Sequence, residues 1–166
     1  LCQAALADWE NPPELRGELI RLARATGNWD ELELVDREVL GARMEPEAQL
    51  QVLMEMARVA QVEREDAEGA EAIFQEALGV DPAHQPSLEA LRDLYEQTGQ
   101  SAKMVSILRL QADFATEIED RIAVLYHMGA IQQGELEARA DAVDTYEQII
   151  AADPTERDAY RQLEGV

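Results

Sequence analysis

The sequence predicts an all-α protein, an α-α superhelix (solenoid) of tandem antiparallel helical hairpins, on three observations. Sliding the chain against itself by 72 residues aligns 26–94 with 98–166 without a gap, and 15 of the 69 pairs are identical. About six would match by chance at this composition, and self-similarity at a fixed period is the signature of a repeat array. Apolar residues recur three and four apart, as in Leu88, Leu91, Leu94, Tyr95 and again in Ile118, Ile122, Leu125, Tyr126, which is helical spacing. Finally, hydrophobic residues make up 46% of the 166 residues, mostly Ala and Leu with only 5% aromatics, the composition of a packed helical chain and not of a disordered one.

Breakers divide the chain into predicted helices at about 13–25, 30–43, 46–62, 67–79, 84–97, 101–115, 117–133, 138–151 and 155–164. Links of a few residues force neighbours antiparallel. The predicted hairpins are therefore 13–43, 46–79, 84–115 and 117–151, followed by a capping helix at 155–164. The whole of 1–166 reads as a single repeat array, and because the chain begins at Leu1 it reads as a fragment of a longer one. The matched pairs mark the joints: Thr26-Gly27 with Thr98-Gly99, Val52-Leu53 with Val124-Leu125, Met56 with Met128, Ala70 with Ala142, and Asp81-Pro82 with Asp153-Pro154.

Asp-Pro ends the second helix of a hairpin, since proline lacks an N–H and disfavours helical geometry before it. In "DPTE" the expectation is that Asp153 caps the following helix, Pro154 takes its first position and Glu156 serves as the capping-box acid. One hairpin cannot bury both of its apolar stripes, so neighbours stack and generate a concave face. The segment "DAYRQLEGV" reads as the cap over the last stripe, with Tyr160 and Leu163 on one side. Trp9 and Trp29 lie in the least regular part, and Trp29 is expected to pack between hairpins.

Charge excludes one class of partner. Thirty-five Asp and Glu against 14 Lys and Arg give a formal charge of −21, and such a field repels nucleic acid and anionic lipid. A protein partner, if charge selects it, is basic. Only Lys103 among the basic residues is a lysine, and this Arg and Ala bias fits a GC-rich, bacterial source. The single cysteine, Cys2, allows no intrachain disulfide and no cysteine-rich zinc site. No apolar run approaches membrane-spanning length and no signal peptide is visible, so the expected location is the cytoplasm.

No catalytic constellation is legible. His84 and His127 lie in different hairpins without a nucleophile motif around them, and no phosphate loop or metal-spaced set occurs. The carboxylates of "EREDAE" at 63–68 form a solvated turn without EF-hand spacing. The expectation is therefore no enzyme, no cofactor and no metal. Phe74, Leu91, Tyr95, Tyr146 and Leu163 fall at hairpin-holding slots and are core candidates.

These residues resemble the tetratricopeptide repeat, whose second half places Ala, then an aromatic residue four on, a small residue three further, and Pro five beyond. Ala70, Phe74, Ala77 and Pro82 match it, as do Ala142, Tyr146 and Pro154 with Ile149 in the small slot. Gly129, Tyr95 and Gly99 take the small, tyrosine and turn-glycine slots of first halves. The chain also departs from the pattern. Ala57 to Ala70 and Gly129 to Ala142 span 13 residues where the family has 12, and Asp36 stands in an aromatic slot.

The resemblance implies a scaffold whose concave face, lined by first-helix side chains, binds a segment of another protein. Carried over slot by slot, that face holds Arg21, Arg24, Gln51, Met54, Arg58, Gln61, Glu89, Asp93, Glu96, Ala123, Tyr126, Ala130 and Gln133. It would run from basic to acidic to neutral. The Lys, Arg and Asn set with which some members grip an acidic chaperone tail is not reproduced. Two other readings are open: a structural spacer that self-associates into a homo-oligomer, and a docking or regulatory part of an enzyme whose catalytic domain lies elsewhere.

Overall fold

The computed structural model describes residues 13–41 and 44–166, and Cys2, Trp9 and residues 42–43 of the predicted first hairpin lie outside that range. Every regular element among the described residues is helical: α1 (Pro13–Thr26), α2 (Trp29–Leu40), α3 (Pro46–Arg58), α4 (Ala67–Val80), α5 (Gln85–Thr98), α6 (Ser101–Phe114), α7 (Ile118–Gly134), α8 (Arg139–Ala152) and α9 (Arg157–Gly165). The chain divides into two compact units between Asp81 and Pro82.

In the first unit α1 packs on α2, α2 on α3, and α3 on α4. Ile20, Ala23, Leu32 and Val59 form a buried cluster against which Leu19 and Trp29 pack, so Trp29 bridges the two hairpins as its sequence position suggested. Asp36, the departure in the aromatic slot, is buried at 2% exposure. It lines a cavity of about 20 Å³ together with Trp29, Met56 and Arg64. Ion pairs tie the second hairpin to the first: Arg37 Nη1 to Glu76 Oε2 at 2.5 Å and Arg64 Nη1 to Glu33 Oε2 at 2.9 Å. In the second unit α5 packs on α6, α6 on α7, α7 on α8, and α8 on α9. Its core includes the fully buried Leu88, Leu91, Leu108, Leu125, Met128, Tyr146 and Ile149.

The 72-residue period holds at the level of backbone geometry. Gly27 and Gly99 adopt φ of 71° and 66°, the left-handed region where a side chain is strained. Thr26 Oγ1 donates to Leu22 O at 2.9 Å and Thr98 Oγ1 to Leu94 O at 2.7 Å, so both Thr-Gly turns close the preceding helix in one way. The thirteenth residue of the long hairpins also has a structural account. After α3 the chain continues as a π-helical turn, Val59–Glu63, whose hydrogen bonds span one residue more than those of an α-helix. Arg64 N donates to Val59 O, five residues back, and Leu136 N does the same to Ile131 O. Glu65 and Glu137 then take φ of 54° and 51°. The inserted residue is thus absorbed before the turn, and the downstream slots return to register.

The capping expectation at Asp-Pro needs correction. Asp81 and Asp153 do end α4 and α8, but Pro82 and Pro154 sit in a turn and not at the start of a helix. The next N-caps are His84 and Glu156. Asp153 Oδ1 accepts from the backbone N of Thr155 and from its hydroxyl, each at 2.8 Å. That hydrogen bonding to Thr155 holds the carboxyl below its usual value. Asp153 therefore fixes the turn two residues ahead, and Glu156 itself accepts from Asp158 N at 3.4 Å.

Candidate functional site

The residues named for a docking face lie on α1, α3 with its π-turn, α5 and α7, and the two units are taken separately. On α1, Arg21 and Arg24 are exposed but paired. Arg21 reaches Glu18 one turn back through Nε at 2.8 Å and Nη2 at 2.5 Å. Arg24 clasps Glu63 of the π-turn, 39 residues away, through Nε at 2.9 Å and Nη2 at 2.5 Å. The Arg24 hydrogen bonds, assisted by the charge of Arg58, hold the Glu63 carboxyl below the usual range. The basic stretch of the predicted face is therefore largely neutralised within the unit. Gln51 and Arg58 are exposed and Met54 and Gln61 half-buried.

In the second unit Glu89, Asp93 and Glu96 stand at i, i+4 and i+7 on α5 and are all exposed, a spacing that puts them in one row on the helix. Arg92 Nη2 pairs with Asp93 at 2.9 Å, whereas Glu89 and Glu96 form no ion pair with any described residue. The row keeps a net negative charge. On α7, Ala123 and Ala130 are exposed.

Tyr126 and Gln133, also on α7, are engaged by α9. The Tyr126 hydroxyl is shut off from solvent, with the Glu156 carboxylate beside it. Burial, then the nearby Glu156 and Asp158 carboxylates, push it up to about 12. Gln133 Nε2 donates to Gly165 O at 3.4 Å, and its Oε1 accepts from Tyr146 at 3.4 Å. Both side chains are thus engaged by α9, which packs on α8. The sequence reading did not foresee the partners of these side chains: Glu18, Glu63, which it placed in a solvated turn, and Glu156, which it read as a capping-box acid. Glu18 stands one turn before Arg21 and could have been found by spacing; Glu63 and Glu156 carried no such signal.

Among the described residues, no group of three or more His, Cys, Asp and Glu side chains is placed to hold a metal ion. None of the described helices is long and apolar enough to cross a membrane. No family model matches the sequence, and no curated protein matches it. Among solved structures, one titled "Crystal structure of MamA" aligns over 85% of this chain and 78% of that one, at 15% identity and a TM-score of 0.46.

Proposed function

We propose that this chain is a non-enzymatic interaction scaffold that docks a basic segment of another protein against the exposed face of α5. The observation that carries the reading is the exposed acidic row Glu89, Asp93 and Glu96. With the chain's formal charge of −21, this row favours a cationic partner and steers its approach.

The test is calorimetric titration of a basic amphipathic peptide into the whole chain at about 0.1 M salt, where the screening length is about 10 Å. Reversing Glu89, Asp93 and Glu96 to Lys together should weaken binding by at least about tenfold, roughly 1.4 kcal/mol. Reversing Glu117, Glu119 and Asp120 changes the net charge equally and should weaken it far less. Equal losses in the two triple variants would mean that bulk charge and not the α5 row attracts the peptide, and the proposal would fail.

A further inference from the structure

The turns repeat between the two units, but the charges on one pair of slots beside them do not. In the first unit the pair is Arg24, near the end of α1, and Glu63, in the turn after α3. They are joined twice, Nε to Oε2 at 2.9 Å and Nη2 to Oε1 at 2.5 Å. Seventy-two residues on, the same slots hold Glu96, near the end of α5, and Glu135, just past α7. A cation and an anion have become two anions.

The backbone under both pairs is shared. The helices bearing Arg24 and Glu96 end at left-handed glycines, Gly27 and Gly99. The residues after Glu63 and Glu135 each donate five residues back, Arg64 N to Val59 O at 3.2 Å and Leu136 N to Ile131 O at 3.1 Å. Glu135 also accepts the hydroxyl of Ser101 at the start of α6. That bond holds the Glu135 carboxylate at the turn between α5 and α6, beside which Glu96 stands. Neither glutamate has an ion pair with any described residue. Exposure follows the same difference: the Glu63 side chain, clasped by Arg24, is 15% exposed, whereas Glu135 and Glu96 are both exposed.

We infer that Glu135 and Glu96 receive an arginine side chain of the basic segment that docks on α5. Its guanidinium forks onto Glu135 as Arg24 forks onto Glu63, and Glu96 supplies a second carboxylate. The inference rests on the docking reading and adds a side-chain preference to it. The contact in the first unit uses two N–H groups of a planar fork, which lysine, a point charge on a flexible stem, does not reproduce. The first unit fills the site from within, and the second takes its guanidinium from the partner.

Two amphipathic peptides of equal length and charge, one with arginine and one with lysine as its only cations, test this by calorimetry against the whole chain. The arginine peptide should bind at least about threefold tighter, within what exposed ion pairs reach. Glu135→Gln should bring the two peptides to equal affinity, while Glu119→Gln removes the same charge and should keep the preference. Glu96→Arg copies Arg24 and should also remove the preference, by occupying Glu135 from within. Equal binding of both peptides to the unaltered chain, or a preference that survives Glu135→Gln or Glu96→Arg, would overturn the inference and leave the α5 docking reading standing. If neither peptide binds, the docking reading itself fails and takes the inference with it.

Discussion

The hairpins α3/α4 and α7/α8 stand 72 residues apart and solve one geometric problem with two chemistries. Each absorbs an extra residue through an i to i−5 hydrogen bond, and each reverses at a glutamate in the left-handed region. Between the helices, however, Ala57 and Phe74 in the first become Gly129 and Tyr146 in the second. The lost methyl and the gained hydroxyl are coupled: a Cβ on Gly129 would come within 2.8 Å of the Tyr146 ring. One layer further, Ala60 and Ile73 of the first hairpin are buried apolar residues. Their counterparts Gln132 and Thr145 are also buried and hydrogen-bonded, Thr145 Oγ1 donating to Gln132 Oε1 at 2.7 Å. The repeat therefore conserves volume and backbone path and leaves polarity to be settled locally.

The sharpest way to break the equivalence is to exchange its parts. Gly129→Ala should overpack the Tyr146 ring and cost about 1–3 kcal/mol in denaturant unfolding, and adding Tyr146→Phe to copy Ala57 and Phe74 should recover part of it. Full stability of the single variant would mean that the ring moves freely.

Thr145→Val removes the donor from a buried amide oxygen and should cost about 1–2 kcal/mol. The double change Gln132→Ala and Thr145→Ile reproduces the apolar pair of the first hairpin and should cost less than the two singles added. Additive losses would show that the polar pair is not a unit.

The shared turn predicts equal effects. Glu65→Gly and Glu137→Gly should each raise stability by about 1 kcal/mol or less, because glycine relieves the left-handed strain. Unequal shifts in thermal midpoint would separate the two turns.

The smallest effect is seen only in alkali. Tyr126 takes the slot of Met54, and its hydroxyl ionises at about 12 in place of about 10 for a free tyrosine. Because the folded value is the higher, the stability it contributes is complete below about pH 10 and lost as pH rises through about 12. Absorbance titration should show tyrosine absorbance that appears only near pH 12 and that Tyr126→Phe reduces, beside the smaller delay of Tyr146, which burial also raises; ionisation of all tyrosines together near pH 10 would refute the enclosure.

The helices were largely legible because their signals are local: each predicted helix is present with ends near those expected from apolar spacing and breakers. The Asp-Pro joints were misread by a few residues. An aspartate that could cap a helix can equally fix a turn, and the choice depends on the next helix's docking. The 13-residue spacing was visible as a count, but a count does not say that a π-turn takes up the surplus.

The proposed docking face was only partly legible. Glu89, Asp93 and Glu96 fall in a row whatever the tertiary structure, since helical periodicity alone places them together. The pairing of Arg24 with Glu63 across 39 residues and the closure of Tyr126 by α9 follow from how hairpins stack. Those particular contacts join residues of different hairpins and carry no local spacing signal. The sequence by itself determined the helices, their 72-residue register and the volumes of the core slots, because these depend on neighbours a few residues away. Only the tertiary structure decided which surface charges are neutralised and which named side chains remain accessible, because burial and ion pairing depend on residues that the chain brings together from a distance.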